Sequence, residues 1–306
     1  MNTSANDTNP HTILLGVDGS EHSLAGIALL RELPCVPRSC ILAMTVWNGR
    51  SPLDRARLQA ALGDAHKRLE GGCAEIQTAF YEGHPAETIV RKAKEQQANM
   101  IVVGAKGLRS TLGILLGGVA QQVVEHALCP VLVVRAPYTG LHRVLLVTDG
   151  SATSQTAVTF LSRFTLPPGV LVDVCHVVPP GALPQFTTGT WPVGHEVVPI
   201  LSDNELAELE KMHQEERESG RALVQKTAET LRASGFHAES LVLEGDAATE
   251  ILRYARKTRP DLIVAGSRGL SEIKGWWMGS VSRKLVNNAA CSILVVKGAE
   301  VGEQHT

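Results

Sequence analysis

Nowhere in the 306 residues does an apolar run approach the about 18 residues that a membrane-spanning helix needs. The longest candidates, around 112–120 and 131–134, are short and are broken by glycine or flanked by charge. No membrane association is therefore expected. Excess positive charge is also missing: 29 Lys and Arg face 31 Asp and Glu, for a net charge of -2. A duplex-nucleic-acid binder normally carries a basic face and a high pI, so no nucleic-acid partner is expected. Six cysteines are too few for a disulfide scaffold. No Cys-x2-Cys occurs and no Cys/His cluster has zinc spacing. Cys129 and Cys291 each precede a β-rich run and read as small buried residues rather than reactive thiols. Residues 1–10 are polar, lack the basic start and apolar stretch of a secretory signal, and read as a frayed tail. The expectation is a reduced, cytoplasmic protein. Two nucleotide motifs are absent as well. There is no Gly-x4-Gly-Lys-Ser/Thr P-loop, and no Gly-x-Gly-x2-Gly follows either first strand.

What is present is an ordinary globular composition, 44% hydrophobic and 20% charged, at a length that suggests about two domains. The chain is a duplication. Residues 83–135 align without a gap on residues 245–297, with 19 identities in 53 positions. These include Gly104/Gly266, Gly107/Gly269, Gly117/Gly279, Cys129/Cys291 and the run Leu132-Val133-Val134/Leu294-Val295-Val296. Near the start of each half, Leu14-Leu15-Gly16-Val17-Asp18-Gly19-Ser20 matches Leu145-Leu146-Val147-Thr148-Asp149-Gly150-Ser151. The offset grows from 131 to 162 between these matches, which places an insertion in the second half at about 178–210. It is rich in proline, then acidic, and reads as a flap beside a site or as a surface loop over helix ends. The two units are 1–138 and 139–306, joined by Ala136-Pro137-Tyr138-Thr139-Gly140.

Each unit alternates short apolar runs with amphipathic stretches. Strands are expected at 12–17, 39–46, 75–81, 100–103 and 131–134, and at 143–148, 170–178, 238–244, 262–265 and 293–296. Helices are expected between them, including 52–71 and 203–234, with Ser20 and Ser151 as caps and Ser202/Glu205 at capping-box spacing. Continuous apolar strands alternating with helices mean a parallel sheet covered on both faces. The last strand of each half would be a bare apolar edge if exposed, so the halves are expected to pair there as an intramolecular pseudo-dimer. A homodimer remains compatible with this.

The most informative stretch is Gly266-Ser267-Arg268-Gly269, nine residues, then Gly279-Ser280-Val281-Ser282. It follows a strand and its end opens a helix. Glycine permits positive φ and close approach of a ligand. A helix start offers unpaired N–H groups and the positive end of a dipole, which favour phosphate. Ser280 and Ser282 add hydroxyl donors, and Arg268, Arg283 and Lys284 add positive charge. The competing reading is a tight strand-to-helix turn of ordinary kind, against which the repeated long spacing counts.

This pattern, Gly-x2-Gly-x9-Gly-Ser with Asp-Gly-Ser after the first strand, resembles the universal stress protein family. The likeness covers the whole chain twice, as in tandem members. It implies two Rossmann-like, adenine nucleotide alpha hydrolase-like units, each a five-stranded parallel sheet with helices on both faces. It implies ATP, with or without Mg²⁺, as the ligand of an intact motif. Gly266, Gly269, Gly279, Ser280, Val281 and Ser282 would hold phosphates and ribose, with Arg268 close by, and Asp149 and the backbone of Val177 would face the base. The first half departs from the pattern. Gly118 and Ala120 stand for Ser280 and Ser282, and Gln121 and Gln122 for Arg283 and Lys284. Two missing hydroxyl donors, at about 1.5–3 kcal/mol each, predict a weak first site.

Weaker signals stay double. Trp276 and Trp277 fit a cover over the nucleotide or packing at an interface. Asp246 fits a helix cap or a ribose or metal contact. The run 213–218 reads as a solvated helix face and His176 as a packed histidine. The leading reading is an ATP-binding stress-response regulator with its working site in the second half and a protein partner of unknown identity. Two other classes stay open: an interaction module that uses no nucleotide, and a slow ATPase or autophosphorylating protein. The last would need a general base that the sequence does not supply.

Overall fold

The computed structural model describes residues 11–34, 38–49, 51–72, 74–107, 116–164, 166–181, 202–269 and 278–298. The expectations about Trp276 and Trp277, the flap reading and most of the insertion fall outside them. The first half runs β1 (Thr12–Gly16), α1 (Glu21–Glu32), β2 (Cys40–Trp47), α2 (Pro52–Leu69), β3 (Glu75–Glu82), α3 (Pro85–Glu95), β4 (Met100–Gly104), α4 (Gly118–His126) and β5 (Val131–Val134). The second repeats the order as β6 (Arg143–Val147), α5 (Ala152–Arg163), β7 (Leu171–Val178), α6 (Asp203–Ala233), β8 (His237–Glu244), α7 (Ala247–Thr258), β9 (Leu262–Gly266), α8 (Ser280–Asn288) and β10 (Ser292–Val296).

All strands join one ten-stranded sheet, in the order β3-β2-β1-β4-β5-β10-β9-β6-β7-β8. Pairing is parallel within each half and antiparallel at the seam, where Ile293 faces Val133, Leu294 faces Leu132 and Val295 faces Val131. The expected pairing of the last strands is present, and it removes both apolar edges. An antiparallel seam also points the carboxyl ends of the two half-sheets in opposite directions.

Side-chain alternation divides each central strand between two cores. Leu15, Val102, Leu132, Leu146 and Val264 pack with α1, α2, α5 and α6. Leu14, Ile101, Val133, Leu145 and Ile263 pack under α3, α4, α7 and α8. Strands buried on both faces have no room for polar residues, which is why they read as unbroken apolar runs. The outer strands β3 and β8 are charged and half exposed, a pattern that blunts edge pairing.

Local chemistry sets the helix ends. The Ser20 and Ser151 hydroxyls accept the Ser23 and Ser154 N–H groups. Ser202 and Glu205 form the full capping box of α6. At the far ends, α2 stops at Leu69 rather than Gly71, and Gly71 takes φ +82. With 31 residues against 18 in α2, α6 is about 46 Å long, and the acidic part of the insertion forms its first turns. The 213–218 run is only partly a solvated face. His213 and Arg217 reach Glu244 at the end of β8, at 3.1 and 3.4 Å.

Candidate functional site

The residues singled out in the second half meet where β6, β7 and β9 end and α5 and α8 begin. Asp149 follows β6, and its Oδ1 accepts the Ser151 N–H at 3.0 Å and the Ser151 hydroxyl at 2.5 Å. Its other oxygen lies against the loop after β9: a Cβ on Gly269 would sit 2.6 Å from Asp149 Oδ2. Only glycine lets that loop approach the carboxylate so closely. Gly266 is needed for a related reason. A Cβ there would fall 2.9 Å from the Thr153 carbonyl, so β9 could not dock on the start of α5. The loop is tied again by the Thr153 hydroxyl, which donates to Arg268 O at 2.5 Å.

Positive φ is not the reason for these glycines, which corrects the sequence expectation. Gly279 has φ -68 and Gly117 has φ -74. Positive φ falls instead at Gly150 and Gly19, in the Asp-Gly-Ser turns that lead into α5 and α1.

The start of α8 closes the site. Gly279 N–H donates to Ser267 O at 2.8 Å, and a Cβ on Gly279 would lie 3.4 Å from the Arg268 Cα. Arg283 N–H is the first to close a helical bond, onto Gly279 O at 3.0 Å. The N–H groups of Ser280, Val281 and Ser282 are therefore left at the helix start, and no side chain caps them. The Ser280 side chain makes no hydrogen bond among the described residues. Ser282 differs. It is buried, and its hydroxyl donates to Gly266 O at 2.7 Å. A serine has one hydroxyl proton, so Ser282 is no phosphate donor through its side chain. This corrects the sequence reading of two hydroxyl donors to one, Ser280; Ser282 keeps its backbone N–H for a ligand.

Charge around the site is uneven. Arg268 is exposed on the loop, whereas the Lys284 ammonium lies 3.7 Å from Asp246 Oδ1. Asp246 caps α7, accepting the Thr249 N–H at 3.0 Å, and its hydrogen bonds from Thr249 hold its carboxyl below the usual range. The cap reading of Asp246 is therefore met. Val177, near the end of β7, is half-buried beside His176, whose Nδ1 is 2.9 Å from Thr148 O. Among the described residues no cluster of acidic, His and Cys side chains could hold a metal ion.

The first half repeats this geometry around Asp18, Gly104, Gly107 and Gly117. Ser20 N–H donates to Asp18 Oδ1 at 3.0 Å, and a Cβ on Gly107 would lie 2.7 Å from Asp18 Oδ2. A cleft of about 390 Å³ opens there, lined by Asp18, Val46, Gly107, Gly117, Gly118 and Ala120 among others. Divergence has thus kept the space and removed donors. Because the Ser282 hydroxyl is held by Gly266 O, Ala120 at the matching position lacks a structural bond, not a ligand contact.

Sequence reasoning missed the two basic residues that follow β5 and β10, Arg135 and Lys297. Their signal was available: each stands directly after the repeated Leu-Val-Val run.

A doubly repeated Rossmann-like unit, with glycine loops at the carboxyl ends of its strands, defines the class. The Universal stress protein family model matches residues 10–135 and again 140–297, and the chain belongs to that family. A universal stress protein of Mycolicibacterium smegmatis is 26% identical over 319 residues, covering 93% of this chain and 96% of the relative. Universal stress protein MJ0531 of Methanocaldococcus jannaschii is 41% identical over 91 residues, 30% of this chain; the chain spans about half the length of that relative, 54%. The crystal structure of a universal stress protein from Archaeoglobus fulgidus has the same fold, with a TM-score of 0.64 at 18% identity over 94% of this chain and 97% of that one.

Proposed function

We propose that the chain is a cytoplasmic stress-response regulator that binds ATP in its second half. The observation that carries this reading is the start of α8. Three backbone N–H groups and the Ser280 hydroxyl meet beside the exposed Arg268, with no acidic side chain capping the helix. That donor set suits a polyphosphate: helix-start N–H groups and a positive dipole favour anions, and hydrogen bonds to charged acceptors are worth about 1.5–3 kcal/mol each. Asp149 and the Val177 backbone stand at the base end. Mg²⁺, where present, would be held by the phosphates. The nucleotide supplies a charge and a shape that partner surfaces can sense; the chain's own residues bind it and exclude water.

The first half is proposed as a weaker site. Gly118 lacks the Ser280 hydroxyl, and Gln121 and Gln122 are neutral where Arg283 and Lys284 are basic. The loss of one charge-assisted bond alone predicts about tenfold or more in affinity. Mass spectrometry of the nucleotide released on denaturing freshly purified protein tests the reading. An adenine nucleotide near one per chain, with a melting rise on adding ATP, is the expected result. No co-purifying nucleotide and an unchanged melt at millimolar ATP would overturn it.

A further inference from the structure

Two cations, Arg135 buried and Lys297 half-buried, cross the seam between the halves in matching positions. Lys297, directly after β10, sends its ammonium into the first half and donates to Val124 O at 2.5 Å. Arg135, directly after β5, sends its guanidinium into the second half and donates to Val286 O at 3.2 Å. Val124 and Val286 are equivalent positions in α4 and α8. In each helix the next carbonyl back, Val123 O or Leu285 O, is taken by Ala127 or Ala289 N–H, so these acceptors are the first to lack a helical donor. A cation at a helix carboxyl end also meets the negative end of the dipole. Arg135 is 7% exposed and Lys297 is half-buried, so neither is an ordinary surface charge.

The same two residues border the sites. Val296, immediately before Lys297, accepts Ser267 N–H at 2.8 Å, and Ser267 opens the loop that carries Arg268 and Gly269. Val134, immediately before Arg135, accepts Ala105 N–H at 2.8 Å, and Ala105 opens the corresponding loop of the first cleft. At their other ends α4 begins at the first-half cleft and α8 at the second-half glycine loop. A continuous path therefore runs from the second-half loop through Val296 and Lys297 to α4 and the first cleft, and Arg135 completes the reverse path to α8.

We propose that Lys297 and Arg135 are crossed latches that couple the two glycine-loop sites, so that a nucleotide in the second half tightens the Lys297–Val124 contact and orders α4 in the first. This rests on the ATP reading of the second-half site. The charge arrangement gives the sense of the coupling. Burial is the main influence lowering the Lys297 ammonium, to about 8; Arg268 lowers it further, while Cys129 and Glu125 act the other way. These are the titratable and charged groups that bear on it. A triphosphate beside Arg268 would offset that repulsion, favour the charged amine and strengthen its bond to the α4 carbonyl. Binding should therefore take up protons near pH 8.

Hydrogen exchange on the full chain, with and without ATP, tests this. At pH 7 the wild type is expected to show slowed exchange at the start of α8 and also in the last turn of α4, the latter by about fivefold or more. Lys297→Met should keep the α8 response and lose the α4 response, and Lys297→Arg should restore it. The wild type at pH 9.5, with rates corrected for intrinsic exchange, should also keep the first and lose the second. That arm decides the matter if Lys297→Met does not fold. Slowing at α8 alone in the wild type, or an α4 response that survives Lys297→Met or pH 9.5, would overturn the latch while leaving ATP binding intact. Slowing at neither helix would overturn the ATP reading, and the latch with it.

Discussion

Replacing Ser282 by alanine separates a structural serine from a ligand-binding one. Ser282 is 6% exposed and its hydroxyl donates to Gly266 O at 2.7 Å. Alanine deletes that donor and leaves the carbonyl at the end of β9 short of a partner, at a cost of about 1–2 kcal/mol. For a protein of this size each kcal/mol lowers the melting temperature by about 2–4 °C. Ser280, two residues earlier, is exposed with no such bond, so Ser280→Ala should shift melting by only about 1 °C. Its effect belongs to the ligand: one donor lost to phosphate weakens ATP by about 1–2 kcal/mol, roughly tenfold. Thermal unfolding without nucleotide and calorimetric titration of ATP read the two quantities independently. The reasoning is refuted if Ser282→Ala melts like the wild type yet loses as much ATP affinity as Ser280→Ala. That result would mean its hydroxyl faces the ligand.

Further expectations follow from contacts elsewhere. Gly266→Ala should destabilise by about 1–3 kcal/mol in urea unfolding, because its Cβ would meet the Thr153 backbone at 2.9 Å; Gly63→Ala, exposed inside α2 with nothing within 4 Å, should stabilise by about 0.5–1 kcal/mol. Residues 139–306 expressed alone should self-associate in sedimentation through the bare β10 edge, and a clean monomer at high concentration would count against the seam. Burial lowers Lys297 from 10.5 to about 8, so between those values the unfolded chain holds a proton that the folded chain has released. Stability should therefore rise with pH across that window, by up to about 3 kcal/mol relative to Lys297→Met. Parallel pH profiles for the two proteins would contradict the burial of that amine.

The strands and their order of appearance were legible because burial on both faces leaves unbroken apolar runs at the centres of β1, β4, β6 and β9. The duplication was legible because the loop glycines cannot change: Gly104 and Gly266 sit against helix backbone, and Gly107 and Gly269 against a carboxylate. The seam was legible from one fact, that Leu132-Val133-Val134 and its copy would otherwise be exposed edges. What misled was chemistry with two possible partners. Glycine suggests positive φ as readily as close approach, and here close approach was the cause at the loop positions. A serine in a helix's first turn can donate to a ligand or to its own fold, and Ser282 does the latter. The crossing of Arg135 and Lys297 depends on the antiparallel seam, which brings each strand's end beside the other half's last helix. Composition and spacing carry no trace of that.

The central claim is that one half works as the nucleotide site and the other does not match it. Isothermal titration of ATP into the wild type, Gly279→Val and Gly117→Val measures this directly, since affinity and stoichiometry come from one curve. A Cβ at Gly279 would already touch the Arg268 Cα at 3.4 Å, so the two methyl groups of a valine there would crowd the donors at the start of α8. The account predicts one tight site per chain, abolished by Gly279→Val and nearly unchanged by Gly117→Val. Two equal sites, or loss of binding on Gly117→Val alone, would contradict it.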